Sequence, residues 1–92
     1  MQYINELEAT INDMVQTGRG ILAADESAPT IAKRFKAIDV KSTEENRRIW
    51  RSALLTTKGL GEYISGTILF EETLVQKTDD GKAIPEAVWA EK

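Results

Sequence analysis

The sequence predicts an α/β fold of parallel strands, each followed by a helix. Two short apolar runs, Ile21–Ala24 and Tyr63–Phe70, break off abruptly in acid and hydroxyl groups: Asp25-Glu26-Ser27 after the first, Glu71-Glu72-Thr73 after the second. A segment with helical apolar spacing follows the first run, and Pro85 opens a helix after the second. The succession of strand, polar strand end and helix is the rhythm of a (β/α)8 TIM barrel, which builds its sites at the carboxyl ends of its strands. The 92 residues fall well short of the roughly 250 of a complete barrel. The expected architecture is therefore two βα units of an incomplete barrel, preceded by an amino-terminal helix.

Ile4, Leu7, Ile11, Met14 and Val15 recur at helical spacing, which predicts an amphipathic leading helix within residues 1–17 with one buried stripe. Gly18 and Gly20 stop it, with Gly18 suited to a left-handed cap. Ile21–Ala24 is too short for a helix and lacks polar alternation, as expected of a strand covered on both faces. Pro29 fits a first helical turn, and Ile31, Phe35 and Ile38 then share a face. Ser42 and Glu45 have capping-box spacing and open a further helix through about Thr57, with Ile49, Trp50, Ala53 and Leu54 as its inner stripe and Glu44–Arg48 as a supporting pair.

Lys58–Gly61 reads as a loop, and Tyr63–Phe70 as a strand rich in β-branched and aromatic residues. Asp79-Asp80-Gly81 marks a turn, and Pro85 opens a last helix that runs only to Lys92. Residues 18–92 are accordingly read as two βα units, truncated in the last helix, within one domain.

Composition excludes several functions. Fifteen Asp plus Glu against 12 Lys plus Arg give a net charge of −3, which argues against general nucleic-acid binding. Without Cys or His the chain has no disulfide, thiolate nucleophile, imidazole base or ordinary zinc site. Chemistry must come from carboxylate, lysine or hydroxyl groups, and no metal or cofactor is expected. No apolar run approaches the roughly 18 residues of a membrane span, and Glu6, Glu8 and Asp13 are wrong for a targeting segment. A cytoplasmic enzyme that touches no membrane is the expectation.

Gly20-Ile21-Leu22-Ala23-Ala24-Asp25-Glu26-Ser27 and Thr30-Ile31-Ala32-Lys33-Arg34 carry a resemblance to class I (Schiff-base) fructose-1,6-bisphosphate aldolases, whose members have a GILAADES strand followed by a TIAKR helix start. Thr43-Glu44-Glu45-Asn46-Arg47-Arg48 and Ile64-Ser65-Gly66-Thr67-Ile68-Leu69-Phe70-Glu71-Glu72-Thr73-Leu74 extend it, in the family's order and spacing, from about Gly18 to the end of the chain. The resemblance implies that these are the first two βα units of a (β/α)8 TIM barrel, and that the parent is a lyase of glycolysis and gluconeogenesis. It would cleave fructose 1,6-bisphosphate reversibly into dihydroxyacetone phosphate and glyceraldehyde 3-phosphate through a lysine imine, and the whole enzyme is expected to be a homo-oligomer.

Asp25 and Glu26 are neighbours on a strand end, so their side chains point to opposite faces and only one turns inward. From spacing alone, Asp25 serves equally well as a helix cap or as a partner of Lys33 or Arg34. The resemblance makes it an active-site residue beside the reactive lysine, assisting proton transfer and carbon–carbon cleavage. Ser27 and Thr30 open a helix, where either N-capping or anion binding is natural; the resemblance assigns them to one substrate phosphate. It also gives Arg34 a substrate-binding role, for which a planar fork suits a phosphate, and associates Arg47 with the substrate region. Lys33 is a further candidate, and surface ion pairing is the alternative for all three.

Glu71 and Glu72 read as structural strand-end residues, and Trp50, Trp89 and Phe35 as packing residues. Where the family usually has Thr-Gly, this chain has Ala28-Pro29, which removes a hydroxyl and a flexible residue from the phosphate loop.

Imine chemistry needs a desolvated lysine on an interior strand. Neither apolar run contains a lysine, and the resemblance places that lysine and the main acid/base glutamate on later strands. These residues alone are thus expected to be inactive. The competing reading is a noncatalytic interaction module derived from such a barrel.

Overall fold

A computed structural model of the chain describes residues 2–90. In chain order it contains α1 (Ile4–Met14), β1 (Gly20–Ala24), α2 (Ala28–Lys36), α3 (Glu44–Leu55), α4 (Leu60–Tyr63), β2 (Ile64–Leu69), a 3₁₀ helix (Glu71–Val75) and α5 (Ile84–Ala90). The expected extension of the last helix to Lys92 lies outside the described residues.

β1 and β2 pair in parallel, with Ile21 beside Gly66, Ala23 beside Ile68 and Ala24 beside Leu69. Parallel neighbours require a crossover, and α2, α3 and α4 provide it. The Thr67 hydroxyl reinforces the ladder by donating to the Leu22 carbonyl at 3.0 Å. One face of the sheet is apolar and covered: Ala24 packs with Leu55 of α3 and Ile84 of α5, and Leu22, Leu69, Leu54 and Val88 close around them. Alternation sends Ile21 and Ile68 to the other face, where each is 48% exposed. Covering on both faces, expected from the unbroken apolar run of β1, is therefore found on one face only. An apolar side chain dictates that it be buried somewhere, not by which element.

The same reasoning corrects the leading helix. Ile4, Leu7 and Ile11, expected to be buried, are exposed, Ile11 by 57%. α1 meets the sheet through its carboxyl end, where the Met14 carbonyl accepts from the Ser65 hydroxyl. Gly66 permits this approach, because a Cβ there would meet the Met14 methyl at 3.1 Å. Gly18 does adopt a left-handed φ of 82°, but the helix has already ended at Met14. The glycine instead serves the turn in which the Arg19 amide donates to the Gln16 carbonyl.

α2 starts as expected, with Pro29 in its first turn and Ile31 and Phe35 buried. It stops at Lys36, so Ile38 falls beyond it and is exposed. The cap of α3 is Thr43, one residue after the expected Ser42, and its hydroxyl accepts from the Asn46 amide at 3.1 Å. The inner face of α3 differs too: Arg51, Ser52 and Leu55 are buried, while Ile49 and Trp50 are largely exposed. Arg48 pairs with Glu45 and Asp79, not with Glu44. Residues read as the end of a loop and the start of a strand, Leu60–Tyr63, form the short α4.

The Asp79-Asp80-Gly81 turn is present, closed by a bond from the Thr78 amide to the Lys82 carbonyl at 2.8 Å. Among the described residues no helix is long and apolar enough to cross a membrane.

Candidate active site at the strand ends

The sheet ladder ends at Ala24 and Leu69, and the residues just beyond it form the candidate site. Alternation continues through the strand end. Ala24 is buried, Asp25 is exposed, and Glu26 turns back toward the helices with its side chain 12% exposed. Of the adjacent carboxylates, Glu26 is thus the one turned inward, and Asp25 falls on the open side with Ile21 and Ala23.

Glu26 is held at two points. Its Oε2 accepts from Arg34 Nη1 at 2.9 Å, and its backbone carbonyl accepts from Arg51 Nη2 at 2.6 Å. Arg34 remains 66% exposed despite this ion pair. Ser27 occupies the cap position of α2 in extended conformation, yet its hydroxyl makes no cap bond to the helix. It lies 3.1 Å from the Thr30 hydroxyl. Lys33 is exposed on the same helix.

A second cluster forms beyond β2. Arg47 grips Glu72 with both arms of its fork, Nε to Oε1 at 2.8 Å and Nη2 to Oε2 at 2.9 Å. Its Nη1 donates to the Ser42 carbonyl at 3.0 Å and hydroxyl at 3.2 Å. The hydrogen bonds from Arg47 hold the Glu72 carboxyl below its ordinary pKa range, against the opposing effect of burial, and the guanidinium pKa is raised in turn. Arg51 joins the clusters: besides the Glu26 carbonyl, it faces Glu72 Oε1 at 3.9 Å and lies over the Phe70 ring at 5.3 Å from its centroid.

Residues 6–92 match the family model described as glycolytic, fructose-bisphosphate aldolase class-I. The chain belongs to the class I fructose-bisphosphate aldolase family.

Its aldolase relatives include a probable class 1 enzyme of Xanthomonas campestris, 56% identical over 85% of this chain and 23% of the relative. The chloroplastic fructose-bisphosphate aldolase 3 of Arabidopsis thaliana is also 56% identical, over 87% of this chain and 20% of its own length. A solved structure of the Plasmodium falciparum aldolase superposes with a TM-score of 0.90 and 52% identity, covering 95% of this chain and 25% of that one. The chain thus spans about a fifth to a quarter of the relatives it matches.

In this aldolase segment, Asp25, Ser27 and Thr30 share one strand-end turn, with Arg34 tied to it through Glu26. Arg47 belongs to the neighbouring cluster. Sequence reasoning overlooked Arg51, the inward role of Glu26 and the partnership of Glu72. A signal for Arg51 was available: Arg48, Arg51, Ser52 and Leu55 have the same helical spacing as an apolar stripe. An apolar-only search passes over a row that contains two arginines and a serine.

Proposed function

We propose that these residues form the first two βα units of a (β/α)8 barrel that cleaves fructose 1,6-bisphosphate reversibly through a lysine imine, in glycolysis and gluconeogenesis. The observation that carries this reading is Asp25, exposed at the carboxyl end of β1 while its neighbour Glu26 is committed to Arg34. A carboxylate with no such commitment can exchange protons with a substrate beside it.

In the proposed reaction the lysine amine condenses with the substrate ketone. The bond between the third and fourth carbons then breaks, with its electrons passing to the imine, and the fourth-carbon hydroxyl gives up its proton. Asp25 assists this proton transfer. Neither β1 nor β2 contains a lysine, so in this reading the amine comes from outside these residues, which are inactive by themselves.

Ser27 and Thr30 offer hydroxyls at the amino end of α2, where the helix dipole favours an anion. Arg34 contributes its exposed fork to the same phosphate, and Lys33 adds charge nearby. The Nε, Nη1 and Nη2 groups of Arg47 are all engaged within the chain, so its proposed contribution is positive charge and not direct contact. The proposed compartment is the cytoplasm, whereas the Arabidopsis relative is named chloroplastic.

The test is a full-length chimaera in which residues 6–92 replace the matching segment of the Xanthomonas campestris relative. It is expected to cleave fructose 1,6-bisphosphate, and Asp25→Ala is expected to lower kcat far more than it raises KM. An Asp25→Ala chimaera that turns over as fast as its parent contradicts the proposal.

A further inference from the structure

Arg51 is fully buried on the inner face of α3, at 0% exposure. Taking a guanidinium out of water is costly, and an apolar side chain of similar volume often fills such a place as well or better. What Arg51 does there goes beyond filling space. Its Nη2 donates to the Glu26 carbonyl at 2.6 Å, its plane lies over Phe70, and its Nη1 faces Glu72. Glu26 follows β1, whereas Phe70 and Glu72 follow β2. One side chain therefore bridges the two strand ends just where the ladder, whose last pair is Ala24–Leu69, no longer holds them.

We infer that Arg51 is a positioning residue for the aldolase reaction: by fixing the Glu26 carbonyl against the end of β2, it sets the direction in which the preceding residue, Asp25, is presented. The inference rests on the reading of Asp25 as a group that acts on substrate. Asp25 is the first residue past the ladder, so the direction of its side chain depends on how the next peptide is anchored. Misplacing a reacting group by about 1 Å can cost on the order of a hundredfold in rate. The fork matters as well as the charge. A lysine ammonium is a single point donor, unable to hold the carbonyl, face Glu72 and stack on Phe70 together.

The test uses the full-length chimaera and measures kcat and KM per folded enzyme, below the lowest melting temperature of the set. Arg51→Met keeps the packing and removes the donors; it is expected to lower kcat by about tenfold or more with KM little changed. Arg51→Lys is expected to lower kcat by about threefold. The decisive readout is the double-mutant cycle with Asp25→Ala. If Arg51 acts through Asp25, neither Arg51 variant lowers the residual kcat of the Asp25→Ala enzyme further.

Unchanged kcat in Arg51→Met, or the same fold-loss with and without Asp25, overturns the inference and leaves a structural role. If Arg51→Met does not fold, Arg51→Lys completes the cycle with the same criterion. The two readings fail differently. Full turnover by Asp25→Ala alone overturns the catalytic reading and this inference with it, whereas a slow Asp25→Ala enzyme whose Arg51 losses multiply overturns this inference only.

Discussion

Two adjacent carboxylates at the end of β1 have opposite environments, and that difference decides what each can do. Glu26 neutralises Arg34 and anchors the turn, while Asp25 stays exposed and is the one proposed to meet substrate. Arg34 is expected to respond differently from Asp25. If Arg34 binds the phosphate as proposed and does not react, Arg34→Ala in the full-length chimaera raises KM for fructose 1,6-bisphosphate with a smaller change in kcat. A kcat loss at unchanged KM would reassign it to the chemistry.

Glu72 gives a pH signature. Its carboxyl pKa is depressed in the folded state, first by the hydrogen bonds of Arg47. A depressed carboxylate pKa adds stability above the unfolded-state value, and this is lost as pH falls through the folded value. The stability difference between the chimaera and its Glu72→Gln variant, read from urea midpoints, is therefore expected to shrink as pH drops below the ordinary glutamate range. A difference constant across that window contradicts the pairing.

At this scale the sequence located the strand-end polar groups correctly. It did not reveal that Arg47 and Glu72 close on each other, since a contact spanning 25 residues has no local periodicity to report it.

At the scale of elements, apolar spacing located α1, both strands and α2 to within a few residues, because the apolar period matches the hydrogen-bonding period there, even where, as in α1, the stripe is exposed. α3 shows where that logic stops. Its buried residues are Arg51, Ser52 and Leu55, with Leu54 partly buried against the core, and Ile49 and Trp50 are left exposed. Trp50 borders a groove with Ile31, Phe35 and Ile38 but is 44% exposed, and Trp89 is 69% exposed, so neither lies in the core as expected. The start of α3 also moved by one residue, since Ser42 and Thr43 are both competent caps and only the backbone selects between them. Thr43→Ala is expected to destabilise the folded chimaera by about 1 kcal/mol in denaturant titration. Ser42→Ala is expected to cost less, because Arg47 Nη1 retains the Ser42 carbonyl. The reverse order would return the cap to Ser42.

At the scale of the whole molecule, the segment does not close on itself. Its radius of gyration is 14.7 Å, against about 12 Å for a compact domain of this length. The open sheet face exposes Ile21 and Ile68, and α1 exposes Ile4, Leu7 and Ile11. Apolar surface left in water does little to offset a chain entropy of roughly 1–2 kcal/mol per residue. The purified 92-residue chain is expected to self-associate or unfold without cooperativity in sedimentation and thermal melting. A monodisperse monomer with one reversible transition contradicts this and favours an independent interaction module.

The proposed division of labour gives these residues Asp25 and part of the phosphate wall, with the imine-forming lysine elsewhere. Borohydride trapping with dihydroxyacetone phosphate, followed by peptide mapping, tests it most directly on the full-length chimaera and the 92-residue chain side by side. One modified lysine is expected in the chimaera, outside the transplanted segment, and no stoichiometric adduct on the short chain. Stoichiometric trapping at a lysine within the segment, in either protein, would contradict it.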